Sequence, residues 1–98
     1  MILGFRDRWL REFFIHDRPS RNIPSDLGAR LFRKLQLLDD AMSDADLRVP
    51  PSNHFEKLRG GLAGWHSIRV NDQWRLIFLW EGGKGEATEV YLDNHGYR

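Results

Sequence analysis

Apolar and polar positions follow two different periods along this chain of 98 residues, and the change of period separates a helical first half from a strand-rich second half. Ile2-Leu3-Gly4-Phe5 reads as a short strand. Trp9, Leu10, Phe13 and Phe14 then share one helical face, with Arg8, Arg11 and Glu12 outside it and Asp7 in place as an N-cap. The polar run from His16 to Asn22 ends that helix. Pro24-Ser25-Asp26 supplies the proline and capping chemistry that starts a second one. Leu27, Leu31, Leu35, Leu38 and Met42 recur at spacings of four and three and form its apolar stripe, with Arg30, Arg33 and Lys34 on the other side. The acidic stretch from Asp39 to Asp46 opposes the dipole of a helix C-terminus, so the helix is predicted to stop between Ala41 and Ser43. Pro50-Pro51-Ser52 follows as a stiff connector.

Beyond the prolines the period becomes two. Phe55 to Leu58 reads as a short strand before Gly60-Gly61. Trp65–Val70 and Gln73–Trp80 read as a hairpin joined by Asn71-Asp72, and Ala87–Leu92 as the last strand after the turn Gly82-Gly83-Lys84-Gly85. A two-residue turn places Ile68 opposite Arg75 and His66 opposite Ile77, with Trp65, Ser67 and Arg69 on the face of Leu76 and Phe78. Leu76, Phe78 and Trp80 are the predicted core positions, and Arg75 points to the opposite face. The element order β-α-α-β-β-β-β predicts an α+β fold, an N-terminal strand and two helices packed on one side of a mainly antiparallel sheet. Residues 1–98 are read as one domain, because no repeat, low-complexity stretch or linker divides them. A sheet covered on one face leaves the other open to a ligand.

Composition narrows the function classes. The chain has no cysteine, so disulfides and thiolate metal sites are excluded. The four histidines lack the i, i+4 spacing of a helical metal pair, and no glycine-rich phosphate loop follows a strand, so neither a metal nor a cofactor is expected. No apolar run long enough for a signal peptide or membrane span is evident, and the expectation is a cytoplasmic protein without membrane contact. Net charge is only +1, but it is unevenly spread: residues 1–36 carry eight bases and four acids, and residues 37–46 carry four Asp and no base. Arg outnumbers Lys twelve to three, which suits planar recognition of phosphates and bases.

Three groups on or near the predicted open face can carry chemistry: Glu56, Arg75 and the terminal stretch Asp93-Asn94-His95-Gly96-Tyr97-Arg98. Cleavage of RNA by its own 2′-hydroxyl needs a base for the hydroxyl proton, a cation for the phosphorane charge and an acid for the leaving 5′-oxygen. Glu, Arg and His supply these without a metal. Lys57, Arg59 and Arg98 are placed to hold flanking phosphates, and Tyr97 to stack on an unpaired base. Taken singly, each has a structural alternative: Glu56 and Lys57 a surface ion pair, Arg75 the partner of a cross-strand acid, His95 an exposed histidine.

The run from Asn53-His54-Phe55-Glu56-Lys57-Leu58-Arg59-Gly60 to Gly64-Trp65-His66-Ser67-Ile68-Arg69-Val70-Asn71-Asp72-Gln73-Trp74-Arg75-Leu76-Ile77-Phe78 resembles HigB-type toxins of the RelE/ParE superfamily, and so do the opening residues and the stretch from Leu37 to Pro51. The resemblance covers essentially the whole chain. It implies a RelE-like microbial ribonuclease fold and metal-independent cleavage of mRNA in the ribosomal A site. It also implies neutralisation by a HigA-like helix-turn-helix antitoxin, with operator DNA bound only through the antitoxin complex. On the matching positions it makes Glu56 an acid/base group with His54 close by, Arg59 a phosphate contact, Arg75 the stabiliser of the transition state and His95 the histidine of a terminal Asp-Tyr-His pattern. Here Asn94 stands in place of that tyrosine, and a register three residues later aligns Tyr97 with the tyrosine and puts Arg98 in place of the histidine. The general acid therefore stays open among His95, Tyr97 and Arg98. Two alternatives stand beside the enzyme: a non-catalytic module that binds RNA or the ribosome, and a corepressor acting only with its antitoxin.

Overall fold

The computed structural model describes residues 1–94. Its helices are α1 (Arg8–His16), α2 (Gly28–Asp40) and the short α3 (Asp44–Leu47), and its strands are β1 (Glu56–Lys57), β2 (Trp65–Arg69), β3 (Arg75–Glu81) and β4 (Glu86–Asp93). The four strands form one antiparallel sheet in sequence order, β1-β2-β3-β4. Among the described residues helices cover one face only, the one that carries Leu76, Phe78 and Trp80, as an α+β fold with a helix-free sheet face requires. Among the described residues no helix is long and apolar enough to cross a membrane.

The core forms where the helical stripes meet the inner face of the sheet. Leu10 of α1, Leu31, Leu35 and Leu38 of α2, and Leu47 of α3 pack with Ile68, Leu76, Phe78, Trp80, Ala87, Val90 and Leu92. Leu76, Phe78 and Trp80 are buried as their spacing predicts. Leu27 and the three α2 leucines also follow the predicted stripe. Met42 does not: it is 79% exposed, because α2 ends at Asp40 and the chain turns away at Ala41. Asp7 occupies the N-cap of α1 with an extended backbone but makes no side-chain cap bond. The Pro24-Ser25-Asp26 segment forms a turn ahead of α2, whose N-cap is Leu27.

The acidic stretch after α2 is not merely a helix stop. Asp39 Oδ1 accepts the Ile2 N–H at 2.9 Å, Asp46 Oδ2 accepts the Met42 N–H at 2.9 Å, and Asp44 Oδ1 accepts the Trp80 indole N–H at 2.6 Å. Asp44 and Asp46 lie in the first turn of α3, where a negative charge complements the helix dipole. This helix is absent from the periodicity reading, since four residues are too few to show a period.

The N-terminal segment runs parallel to β4 through two bridges, Ile2 to Ala87 and Phe5 to Val90, so the predicted first strand exists as a bridged extended segment. Its ammonium donates to Gly85 O at 2.6 Å. Gly85 has φ +65°, and a Cβ there would come within 2.7 Å of Met42 O, so the turn before β4 accepts only glycine.

The hairpin register departs from expectation by one residue. Arg69 pairs with Arg75, Ile68 with Leu76, Ser67 with Ile77, and His66 with Phe78. The cause is the turn. Asn71 Oδ1 accepts the N–H groups of both Gln73 and Trp74, at 2.9 and 2.8 Å, and Val70 N–H closes the loop on Trp74 O. An asparagine capping its own turn in this way extends the loop to three residues. The slip moves Trp65, Ser67 and Arg69 off the core face and onto the face of Arg75.

Leu35→Ala is expected to lower the unfolding free energy by about 2–5 kcal/mol. Met42→Ala, at the last position of the same sequence stripe, should change it by less than about 0.5 kcal/mol. Urea titrations followed by circular dichroism check both, and equal losses would contradict the packing described.

Candidate active site

The helix-free face presents Glu56 from β1, Ser67 and Arg69 from β2, and Arg75 from β3, because side chains alternate across each strand and these positions pair with one another. Arg75 is the centre of the group. Its Nε–H donates to Ser67 Oγ at 3.0 Å, and its Nη2 donates to the backbone oxygen of His54 at 2.8 Å. Glu56 Oε2 lies 3.8 Å from the same Nη2. The Arg75 side chain is 15% exposed and that of Glu56 is 50% exposed, so the cation is set into the surface and the carboxylate stands over it in solvent.

Each contact has a local origin. His54 ends a 3₁₀ turn over Pro51–Asn53 in a left-handed conformation (φ 45°), and its carbonyl oxygen meets the guanidinium. Asn53 holds that turn from inside: it is fully buried, and its amide donates to Leu47 O and Val49 O. Ser67 is buried as well, and its hydroxyl satisfies the Arg75 Nε–H. Burial pulls the Arg75 pKa down, the Glu56 carboxylate pushes it back up, and Arg69 lowers it again. A guanidinium keeps its charge under such shifts, so the site holds a fixed cation with N–H donors beside a carboxylate.

The structure brings together Glu56, Arg75 and the backbone of His54. The His54 side chain is exposed. Lys57 pairs with His66 and so falls on the face opposite Glu56, while Arg59 is exposed just ahead of a second 3₁₀ turn. His95, Tyr97 and Arg98 lie outside the described residues. Asp93, the last residue of β4, pairs with Arg75 across β3 and β4.

Two groups on this face escaped the sequence reading. Ser67 and Arg69 were assigned to the core face by the shifted register, and the asparagine at the turn was the only local signal for the longer loop. Arg6, from the N-terminal segment, lies 4.1 Å from the Tyr91 ring centroid and 5.0 Å from that of Trp65. The two rings meet edge to face at 5.9 Å. No local pattern joins residues 6, 65 and 91; the sheet does.

The chain matches the model of the HigB-like toxin family, described as the RelE-like toxin of the type II toxin-antitoxin system HigB, over residues 3–95. It is 53% identical over 97 residues to Toxin HigB-1 of Vibrio cholerae, covering 99% of this chain and 100% of that one. It is 41% identical over 93 residues to an uncharacterized protein of Haemophilus influenzae, covering 95% and 90%. Among solved structures it is similar to a YoeB/ParE toxin from Agrobacterium tumefaciens, with a TM-score of 0.51, 20% identity and coverage of 97% and 98%; at that identity the likeness concerns the fold.

At the back of the site, His66 stacks on Phe55 with ring centroids 5.3 Å apart and planes 10° apart. Burial pushes its pKa below 6.5, against smaller upward effects of the Gly64 carbonyl and Asp44, and Lys57 adds to the lowering. The unfolded chain therefore binds the proton first as pH falls. The stability His66 contributes is complete above about pH 6.5 and is lost as pH drops through the folded-state value. The urea midpoint should fall between pH 7.5 and 5.5, and His66→Gln should flatten part of that fall. Identical pH profiles for the two proteins would show that His66 does not titrate differently on folding.

Proposed function

The chain belongs to the HigB-like family of RelE-like type II toxins, and on that premise we propose that it is a ribosome-dependent endoribonuclease that cleaves mRNA in the ribosomal A site. The observation that carries the reading is the Glu56–Arg75 pair on the helix-free face, with the guanidinium fixed by Ser67 and the His54 carbonyl. A fixed cation beside an exposed carboxylate suits a reaction in which a proton leaves and negative charge grows on phosphorus.

In the proposed reaction Glu56, helped by His54, takes the proton of the 2′-hydroxyl. The 2′-oxygen attacks the adjacent phosphorus, and Arg75 stabilises the charge on the phosphorane oxygens. The bond to the 5′-oxygen breaks, and His95 protonates that oxygen. The products are a 2′,3′-cyclic phosphate and a 5′-hydroxyl, and protein groups alone supply the chemistry. Arg59 and Arg98 hold flanking phosphates, and Tyr97 stacks on an unpaired base; Lys57, on the opposite face of β1, is left out of that role. As a type II toxin the protein has an antitoxin partner. We assign that role to a HigA-like helix-turn-helix protein, through which the pair reaches operator DNA.

Primer extension on a reporter mRNA, with and without translating ribosomes, tests this reading. New 5′ ends bearing a hydroxyl are expected only with ribosomes, and 5′-phosphate ends would exclude the mechanism. Arg75→Ala should slow cleavage by at least ~10²-fold, the loss seen when a preorganised charge stabiliser is removed. Glu56→Gln should also slow cleavage while leaving ribosome binding in place. A full cleavage rate in either variant removes that residue from the site.

A further inference from the structure

Beyond the Glu56–Arg75 pair, α2 and the β2–β3 turn enclose a second cationic feature. A cleft of about 350 Å³ is lined by Arg30, Arg33 and Lys34 of α2, by Ser52, and by Arg69 and the turn residues Val70, Asn71 and Asp72. Four of these side chains are cationic and one is acidic. Asp72 lies 3.9 Å from Arg69. Among the described residues no carboxylate lies within ion-pair distance of Arg30, Arg33 or Lys34.

Like charges this close repel, and a fold does not gather them to stabilise itself. The pKa of Lys34 is lowered by burial and then by Arg33 and Arg30, the mark of cations held together without an acid. The cluster is nonetheless built. Lys34 donates to Oδ1 of Asn53, the buried residue whose amide anchors the connector at Leu47 O and Val49 O. The turn that carries Asn71 and Asp72 is fixed by the Asn71 cap. Arg69 joins the cleft to the site, since it lines the cleft and pairs directly with Arg75 across β2 and β3. Arg30, Arg33, Lys34, Arg69 and Arg75 thus form a continuous cationic path from α2 to the proposed reaction centre.

We propose that the cleft between α2 and the β2–β3 turn binds the phosphodiester backbone of an RNA strand on its way to or from Arg75. The proposal rests on the reading that the protein acts on RNA. Successive phosphates are the chemistry that a row of guanidinium groups and an ammonium recognises, and binding them releases condensed counterions. A messenger strand and a ribosomal RNA strand offer the same backbone.

The test is equilibrium binding of the wild-type protein and an Arg30→Gln/Arg33→Gln variant, both residues being exposed and outside the core. The probes are a single-stranded oligoribonucleotide with 2′-O-methyl groups, which cannot be cut, and purified ribosomes with an empty A site. The variant should bind at least ~10-fold more weakly near 0.1 M salt, and losing two phosphate contacts should reduce its salt slope on the single strand by about 1.4. A loss on the oligonucleotide assigns the cleft to messenger RNA, and a loss on ribosomes alone assigns it to ribosomal RNA. Affinities and slopes unchanged on both probes overturn the proposal, whatever the cleavage assay shows. So does an equal loss in an Arg8→Gln/Arg11→Gln variant, which removes the same charge from α1. If the wild-type protein binds both probes but cuts nothing, the ribonuclease reading fails while the cleft stands.

Discussion

Arg69 lies opposite Arg75 where β2 pairs with β3, and two like charges facing each other on adjacent strands destabilise the pair unless each is held elsewhere. Arg75 is held by the Ser67 hydroxyl, the His54 carbonyl and the nearby Glu56 carboxylate. Arg69 turns toward Asp72 at the hairpin turn. Those contacts depend on one another. Ser67 faces Arg75 only in this register, and the register exists because Asn71 extends the turn. The His54 carbonyl reaches the guanidinium because buried Asn53 holds the turn before it. The proposed reaction centre is thus built from segments that the sheet and the proline connector bring together.

A largely buried guanidinium with few acceptors among the described residues has capacity for another anion. Arginine carries five N–H donors, and the contacts described on Arg75 use two of them, with Glu56 at ion-pair distance. A phosphate arriving at this face meets a cation already desolvated and oriented, which is the condition under which charge stabilisation is strongest. Glu56 is more exposed, as its proposed part in taking a proton from a substrate hydroxyl requires. The difference in burial between the two partners therefore matches the difference in their proposed roles.

The remainder of the fold keeps that face open. The three helices crowd onto the inner face, where the leucines of α2 meet Phe78 and Leu76. The N-terminal segment runs beside β4, tied by the ammonium to Gly85 and by Asp39 to Ile2. From there Arg6 reaches over Trp65 and Tyr91 and covers part of the outer face away from Glu56. Asp39, Asp44 and Asp46 each accept an N–H from a different part of the chain, so the acidic stretch fastens the sheet, the N-terminal segment and α3 around the end of α2.

Local pattern was enough to determine the α+β class, the presence of α1 and α2, the hairpin and the burial of Leu76, Phe78 and Trp80, because each is written in a period of 3.6 or 2 within one segment. The resemblance across the chain points to the toxin family and to Glu56 and Arg75 without any geometry. The tertiary structure decided what periodicity does not encode. A three-residue turn in place of a two-residue one leaves the hydrophobic pattern of each strand intact while exchanging the faces of one strand relative to the other, so the positions of Ser67 and Arg69 were hidden. Met42 continues a helical spacing beyond the point where the helix has ended. Arg6, Trp65 and Tyr91, and likewise Arg30, Lys34 and Arg69, are distant in sequence, and their meeting depends on the path of the backbone between them.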